Sequence, residues 1–178
     1  MRLTGNTPLF TSKTDEFIIP KTSVKVFLPT DETSYPFVYG EWELEGDSSR
    51  GLIIGDMQTP IGLRRQGISR KLTQSLLRIS TTIDPSITTV LASCSSPNSL
   101  RIIHGLFPDT STIWLHGAEP TPDTTVTISE ALGIMALYEP IPEAENDRAI
   151  DMAMVIRAEL AYTDMNSWQM PVPAPGQV

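Results

Sequence analysis

The middle of the chain constrains the fold most, because three consecutive segments there have the signatures of a strand, a helix and a second strand. Gly51–Met57 is a short apolar run with adjacent isoleucines, and a proline and a glycine soon follow it. Ile68, Leu72 and Leu76 are spaced four apart, which predicts a helix. The β-branched, apolar run Ile87–Ala92 predicts a buried strand. Strand, helix and strand in succession favour a parallel crossover in a mixed sheet.

Further strands are predicted before this unit. Phe37–Leu44 alternates apolar and polar residues in its second half, and a glycine-containing turn leads from it into Gly51–Met57. This pattern is typical of an antiparallel hairpin. Val24–Leu28 predicts an earlier strand. We therefore expect an α/β fold with a mixed, mostly antiparallel sheet.

The last part of the chain predicts a helical extension. Glu143–Tyr162 places Ile150, Ala153, Ile156 and Leu160 on one side of a helix. The residues beyond it are rich in proline, which indicates an extended tail. We thus expect an α/β domain over residues 1–138, a C-terminal helix over residues 139–165 that packs on the body or on a partner, and a proline-rich tail over residues 166–178.

Composition excludes several classes of protein. The 178 residues suit one domain with a core, and the single cysteine, Cys94, excludes an intramolecular disulfide. Two histidines leave little material for a zinc site. No apolar run approaches the roughly 20 residues that span a bilayer, and the first residues lack a hydrophobic signal segment. A cytoplasmic protein without a membrane anchor is therefore expected. The net charge of −8 argues against an extended nucleic-acid surface.

A basic island interrupts this acidic chain at the predicted start of the central helix. Seven basic residues and two acidic ones lie between Arg50 and Phe107, a local net charge of +5. Five of the thirteen basic residues fall between Arg64 and Arg78. Helix starts favour negative charge, and arginine forks match phosphate oxygens. The island therefore predicts a site for a small polyanion.

The residues Arg64-Arg65-Gln66-Gly67-Ile68-Ser69-Arg70-Lys71-Leu72 resemble motif A of the GNAT acyltransferases. That motif is Arg or Gln, two residues, Gly, one residue, then Gly or Ala, followed by an apolar helix; here Ser69 takes the place of the second small residue. The preceding strand, the helix, and a next strand that ends in Ser96-Pro97-Asn98 are also similar to that family. Asn98, which is expected to begin a short helix, resembles the family's later asparagine-helix motif, and in any fold an asparagine there is a good helix cap. The resemblance covers roughly residues 37–116.

The resemblance implies a site for acetyl-CoA as acyl donor. Backbone N–H groups of Arg65, Gln66, Gly67, Ile68 and Ser69 would hold the pyrophosphate, with Arg64 and Arg70 adding charge. The strand edge at Met57, Gln58 and Thr59 would pair with the pantetheine arm, as an added strand does. Asn98 would contact the same arm from the next strand.

The resemblance also implies direct transfer to an amine acceptor, for which a proton must be removed. Asp56 is the best candidate for the base, and Glu41 and Glu43 are weaker candidates. The family commonly has a tyrosine as general acid seven residues after the asparagine, but Gly105 occupies that position here. Its neighbour His104 could take that part.

Two alternatives to the enzyme stay open. The chain could be a catalytically inactive GNAT-like protein that acts as an interaction or assembly component, because the tyrosine is missing and the predicted acceptor region is short. The basic turn could instead bind another phosphate ligand, such as a nucleotide. The acidic remainder of the chain favours a cationic acceptor under the enzyme reading, and a homodimer is one possible assembly.

Overall fold

The computed structural model describes residues 2–5, 21–28, 36–43, 50–138 and 153–160. Those residues form one mixed sheet of eight strands with three α-helices. The strands are β1 (Arg2–Gly5), β2 (Lys21–Phe27), β3 (Phe37–Glu43), β4 (Arg50–Gln58), β5 (Ile87–Cys94), β6 (Ser111–Leu115), β7 (Thr125–Val126) and β8 (Met154–Glu159). The helices are α1 (Ile68–Ile83), α2 (Pro97–His104) and α3 (Ile128–Met135), and a short 3-10 turn (Ile61–Leu63) precedes α1.

The sheet has the strand order β1-β2-β3-β4-β5-β8-β6-β7. Only β4 and β5 are parallel among the described strands, and α1 makes the crossover between them. All other described neighbours pair antiparallel, including the predicted hairpin of β3 and β4. The expected α/β fold with a mixed, mostly antiparallel sheet is therefore confirmed.

All three helices contribute to a single core on one face of the sheet, which we call the helix face. Leu72, Leu76 and Leu77 of α1 are buried there. The same cluster includes Val24, Val26, Val38, Trp42, Leu52, Ile54, Val90, Ala92, Leu100, Ile103, Ala131, Met135, Met154 and Ile156. Because side chains alternate along a strand, the intervening residues lie on the opposite, second face. That face carries Lys25, Tyr39, Glu41 and Ile53.

Three buried polar side chains of α1 have hydroxyl groups that form hydrogen bonds within the helix. Thr73, Ser75 and Thr81 donate to backbone carbonyls of the preceding turn, at 2.8 to 2.9 Å. Such bonds within a helix satisfy a hydroxyl that faces a core. The end of α1 is held to the sheet by Asp84, whose carboxylate accepts a hydrogen bond of 3.2 Å from the indole Nε1 of Trp42.

The predicted C-terminal helix is wrong over residues 154–159, which form β8. This strand lies between β5 and β6 and pairs antiparallel with both. The spacing of Ile156 and Leu160 suited a helix, but Met154, Ile156 and Ala158 also alternate with the exposed Arg157 and Glu159. Hydrogen bonding to two neighbouring strands decides between the two patterns, and the pairing partners are remote in sequence. The last described strand is therefore central to the sheet and not an extension of it.

Some of the predicted C-terminal segments lie in parts of the chain that the structure does not describe. Residues 166–178 of the proline-rich tail, and residues 139–152 of the predicted helix, lie outside the described residues. Within the described part of the chain, no helix is long and apolar enough to cross a membrane.

Candidate functional site

The two parallel strands separate before they end. Pairing of β4 with β5 runs from Arg50↔Ile87 to Ile54↔Ala92. Strand β4 continues to Gln58 and stays paired with β3 on its other side. Among the described residues, β4 therefore continues four residues beyond its last pair with β5. We call this opening, between residues 55–58 of β4 and residues 93–94 of β5, the strand gap.

A β-bulge lies at the start of the strand gap. Gly40 pairs with Ile54 and Tyr39 pairs with Asp56, so Gly55 is the extra residue of β4. Bulges redirect side chains and are common beside active sites. Met57 lies opposite the buried Val38 and packs against the core. Asp56 therefore lies on the second face, where it is exposed.

The basic segment, residues 64–71, connects the strand gap to α1, and we call it the arginine turn. Gly67 precedes the first helical residue with φ of 73°, a left-handed conformation that a glycine adopts without strain. Arg65 also has a positive φ, 64°. No side chain caps α1, its first turn contains no acidic residue, and the backbone N–H of Lys71 bonds to Gly67 O at 3.1 Å. The N–H groups of the first turn are thus available to an anion.

Side chains of the arginine turn tie it to its surroundings. Thr59 and Ser69 share a hydroxyl hydrogen bond of 2.5 Å, which joins the end of β4 to the first turn of α1. Arg64 Nε donates to the carbonyl of Thr59 at 3.1 Å. Arg70 Nη2 donates to the carbonyl of Gly105, at the end of α2, at 3.1 Å. Both arginines that were expected to add charge to a phosphate site therefore also bond to backbone.

Four other residues complete the turn. Gln66 is exposed and its amide donates to Gly62 O at 3.4 Å. Ile68 is half-buried and packs against the core. Arg65 and Lys71 are exposed, so their cations face solvent beside the uncapped helix start. The sequence showed Lys71 only as one more basic residue, because its position relative to the turn depends on where α1 begins.

Helix α2 begins beside the strand gap, as predicted, but with a different cap. Ser96 is the N-cap: its hydroxyl accepts from the backbone N–H of Ser99 at 3.2 Å, and the Ser99 side chain bonds back. Pro97 is the first helical residue and Asn98 the second. Asn98 is half-buried, next to the end of β5. Capping therefore does not account for Asn98, although a cap of that type was a plain explanation for it.

Near Asp56, the second face carries a hydrogen-bonded Tyr39–Glu41 pair. The Tyr39 hydroxyl donates to Oε2 of Glu41 at 2.9 Å. Partial burial, followed by the neighbouring Glu41 carboxylate, raises the pKa of Tyr39 above its usual value. A Cβ at Gly55 would lie 3.0 Å from Cδ1 of Tyr39, so the ring covers the bulge. An aromatic ring and two carboxylates therefore lie on the second face beside the bulge. Sequence reasoning missed Tyr39, whose pairing with Asp56 depends on the bulge.

The two residues expected to act as acid and base lie on different faces. His104 is half-buried in the last turn of α2, whose Leu100 and Ile103 belong to the core on the helix face. Asp56 lies on the second face. The structure therefore does not bring them together as a direct acid–base pair. Glu41 lies on the same face as Asp56 and accepts a hydrogen bond from Tyr39, the residue that pairs with Asp56. The side chain of Glu43 is outside the described part of the structure.

Cys94 ends β5 at the strand gap but is chemically quiet. Its side chain is buried on the helix face, and burial raises the pKa of the thiol to about 12. A thiol with that pKa is a poor nucleophile at neutral pH. The described residues also contain no group of three or more histidine, cysteine or carboxylate side chains that could hold a metal ion.

Comparison with known proteins gives a distant structural likeness. No family model matches the chain, and no curated protein matches it. Among solved structures, the chain is similar to a protein from Agrobacterium tumefaciens described as a "putative acetyltransferase", with 12% identity and a TM-score of 0.48. The match covers 79% of this chain and 76% of that one.

Proposed function

We propose that this protein is a GNAT-type N-acyltransferase that moves an acetyl group from acetyl-CoA directly to an amine. The observation that carries the proposal is the junction of the strand gap with the arginine turn. The only parallel pair of described strands separates where a basic, uncapped helix start follows within ten residues of Gln58. An extended arm can pair with the end of β4 while its phosphates reach the helix start.

The helix start fits a pyrophosphate by its donors as well as by its charge. The backbone N–H groups from Arg65 to Ser69 lie in a turn with two left-handed residues, a pattern that can form a concave anion site. Arg65 and Lys71 add exposed positive charge, and Arg64 closes the loop against Thr59. No carboxylate in the first turn opposes an anion.

The pantetheine arm fits the strand gap. Met57 and Thr59 follow the last pair of β4 with β5, Ile54↔Ala92, so an extended arm can lie along this part of β4 on the side of β5. Asn98 lies across the gap at the start of α2, where an amide can bond to an amide of the arm. Bound acetyl-CoA supplies an activated acyl group, and the protein needs to hold it and to manage protons.

Proton transfer is divided between the two faces of the sheet. Asp56 is exposed on the second face and accepts a proton from the attacking amine, directly or through a water molecule. Tyr39 and Glu41 stand beside it and favour a cationic acceptor. His104, on the helix face, is the residue we assign to protonate the leaving thiolate.

Calorimetric titration with acetyl-CoA tests the proposal. We expect saturable binding by the wild type and at least tenfold weaker binding by Arg65→Asn, because asparagine tolerates the left-handed conformation but lacks the cation. Arg157→Ala is the matched control, since it removes an exposed arginine that pairs with Glu159 on β8. Equal losses in both variants would indicate a general charge effect and contradict the site.

The same titration separates the enzyme from its alternatives. No binding of acetyl-CoA at millimolar concentration would end the acyltransferase proposal and favour an assembly component. Equal affinity for acetyl-CoA and for ADP would favour a nucleotide site, because the pantetheine arm would then contribute nothing. Binding of acetyl-CoA without acetylation of any amine in a screen would favour an inactive GNAT-like protein.

A further inference from the structure

Arg70 bonds to the backbone at the end of α2, a contact that phosphate binding does not require. It is the third residue of α1, and its Nη2 donates to the carbonyl oxygen of Gly105 at 3.1 Å. Gly105 is the C-cap of α2, 35 positions later in the chain. The bond therefore joins the first turn of one helix to the last turn of another.

The bond is well matched in charge. The last carbonyl groups of a helix carry partial negative charge and have no partner within the helix. In α2, the carbonyl oxygens of Arg101, Ile103 and His104 accept hydrogen bonds from backbone N–H groups that follow them, with N···O distances of 2.9 to 3.0 Å. The carbonyl of Gly105 receives the Arg70 guanidinium instead. A charged donor makes this bond stronger than a neutral one.

The two ends of α2 are held in different ways. Its beginning is held by the Ser96 cap, and its middle by Leu100 and Ile103 in the core. Its end carries His104 and the exposed Gly105, and the following Leu106 and Phe107 lie in the core. The Arg70 bond holds Gly105 to another helix, so its loss is expected to loosen His104 and Gly105 more than the capped beginning of α2.

A side chain at position 105 would lie too close to the backbone of α2. A Cβ at this position would lie 2.9 Å from the carbonyl oxygen of Arg101, and that oxygen belongs to the backbone. The close approach explains why the chain has glycine here. It also leaves the carbonyl of Gly105 as the group that this residue presents to α1.

We infer that Arg70 is a positioning residue, which holds the end of α2, and with it His104, against the first turn of α1, and that it is not a phosphate ligand. The inference rests on the proposed function for the role of His104. It reassigns Arg70 within the arginine turn and leaves the backbone groups, Arg65 and Lys71 as the anion site.

Variants of neighbouring residues separate positioning from phosphate binding. Arg70→Met removes the donor and the charge but keeps a long exposed side chain, and Lys71→Met removes one charge from the same turn. ADP is the probe, since it has a pyrophosphate and lacks the pantetheine arm. We expect Arg70→Met to bind ADP within twofold of the wild type and Lys71→Met to bind it at least threefold more weakly. A loss in Arg70→Met as large as that in Lys71→Met would overturn the inference.

Kinetic measurements test the part of the inference that concerns the position of His104. With an amine that the wild type acetylates, Arg70→Met should lower kcat about tenfold while the KM for acetyl-CoA changes less than threefold, because His104 is displaced and the anion site is intact. Arg70→Lys, which keeps a cationic donor, should recover part of kcat. A rise in KM at unchanged kcat would show a binding role and overturn the inference.

A distance measurement separates this inference from the proposed function. Spin labels at Gln66→Cys and Arg101→Cys, in a Cys94→Ala background, report the separation of the arginine turn from α2; both labelled positions are exposed. We expect a narrow distance distribution with Arg70 present and a broader one in Arg70→Met. Identical distributions would overturn the inference, even if acetyl-CoA binds. If acetyl-CoA does not bind at all, the proposed function fails while this measurement still tests the link between the helices.

Discussion

Asp56 owes its position to one inserted residue. Without the bulge at Gly55, strict alternation from the buried Ile54 would return residue 56 to the helix face. The extra residue instead places Asp56 beside Tyr39, on the second face, at the strand gap. The sequence indicated a carboxylate near the end of this strand but not the face on which it lies, because a bulge is set by pairing with the neighbouring strand.

Replacement of Asp56 by asparagine keeps the size of the side chain and removes the base. We expect Asp56→Asn to lower kcat by about a hundredfold, which is typical for loss of a positioned general base. Binding of acetyl-CoA should be unchanged, because the anion site is formed by the arginine turn. Steady-state rates and calorimetry on the same preparation measure both quantities. Glu159→Gln is the control, and a similar loss of rate there would contradict a specific role for Asp56.

The buried thiol of Cys94 is expected to make the free energy of unfolding fall as pH rises in the alkaline range. In the unfolded chain the thiol has its ordinary pKa near 9.0, and in the folded protein burial raises it to about 12. Below pH 9 both states keep the proton and the thiol has no pH-dependent effect. Between pH 9 and pH 12 only the unfolded state ionises, so the free energy of unfolding falls as pH rises, by up to about 1.4 kcal/mol per pH unit.

Urea unfolding at pH 8, 9.5 and 10.5 measures this dependence. We expect the wild type to lose more stability over this range than Cys94→Ala, because only the wild type has the thiol. Parallel loss in the two proteins would show that other groups account for the whole effect. Thiol reagents should likewise modify Cys94 slowly in the folded protein at neutral pH and quickly in urea.

At the scale of the elements, the sequence predicted a helix or strand correctly wherever the spacing of its apolar residues matched the faces that the element buries. The central helix and the strands on either side of it were predicted to within a few residues, because each buries one face or both faces against its neighbours. The start of α2 was predicted but not its cap, since Ser96 and Asn98 are both residue types that cap helices. The capping box formed by the buried Ser96 and the half-buried Ser99 is visible only in the structure.

The cap of α2 predicts a measurable difference between adjacent serines. Ser96→Ala removes the side-chain acceptor for the Ser99 N–H and should lower the free energy of unfolding by about 1 kcal/mol. Ser95→Ala is the control, because Ser95 is exposed and precedes the cap; it should change stability by less than about 0.5 kcal/mol. Urea denaturation measures both. Equal effects would show that Ser96 does not stabilise α2 as a cap.

At the scale of the whole molecule, β8 is the part that sequence reasoning could not place. Its alternating residues are few, and a helical spacing passes through the same stretch. What makes it a strand is the space between β5 and β6, each of which pairs with it along five or six residues. The arginine turn was predictable because it lies within one continuous stretch of sequence, whereas the strand gap, β8 and the Arg70–Gly105 bond each depend on contacts between separate segments of the chain.

A truncation tests how far the sheet depends on β8. A chain that ends at Tyr138 lacks Met154, Ile156 and Ala158 from the core and leaves facing edges of β5 and β6 unpaired. We expect it to show no cooperative unfolding transition in urea. Ile156→Ala in the full chain should keep the transition but cost about 2 to 4 kcal/mol. A truncated chain that unfolds cooperatively at the midpoint of the full chain would contradict a central role for β8.

The place of β8 also has a consequence for biosynthesis. Translation delivers β4, α1 and β5 well before β8, so a nascent chain has β5 and β6 outside the ribosome before the strand that separates them exists. Until then both strands can pair with the wrong neighbour or with another chain. We therefore expect the strand gap to reach its final geometry only after β8 has been made, and prematurely terminated chains to be substrates for chaperones and proteases.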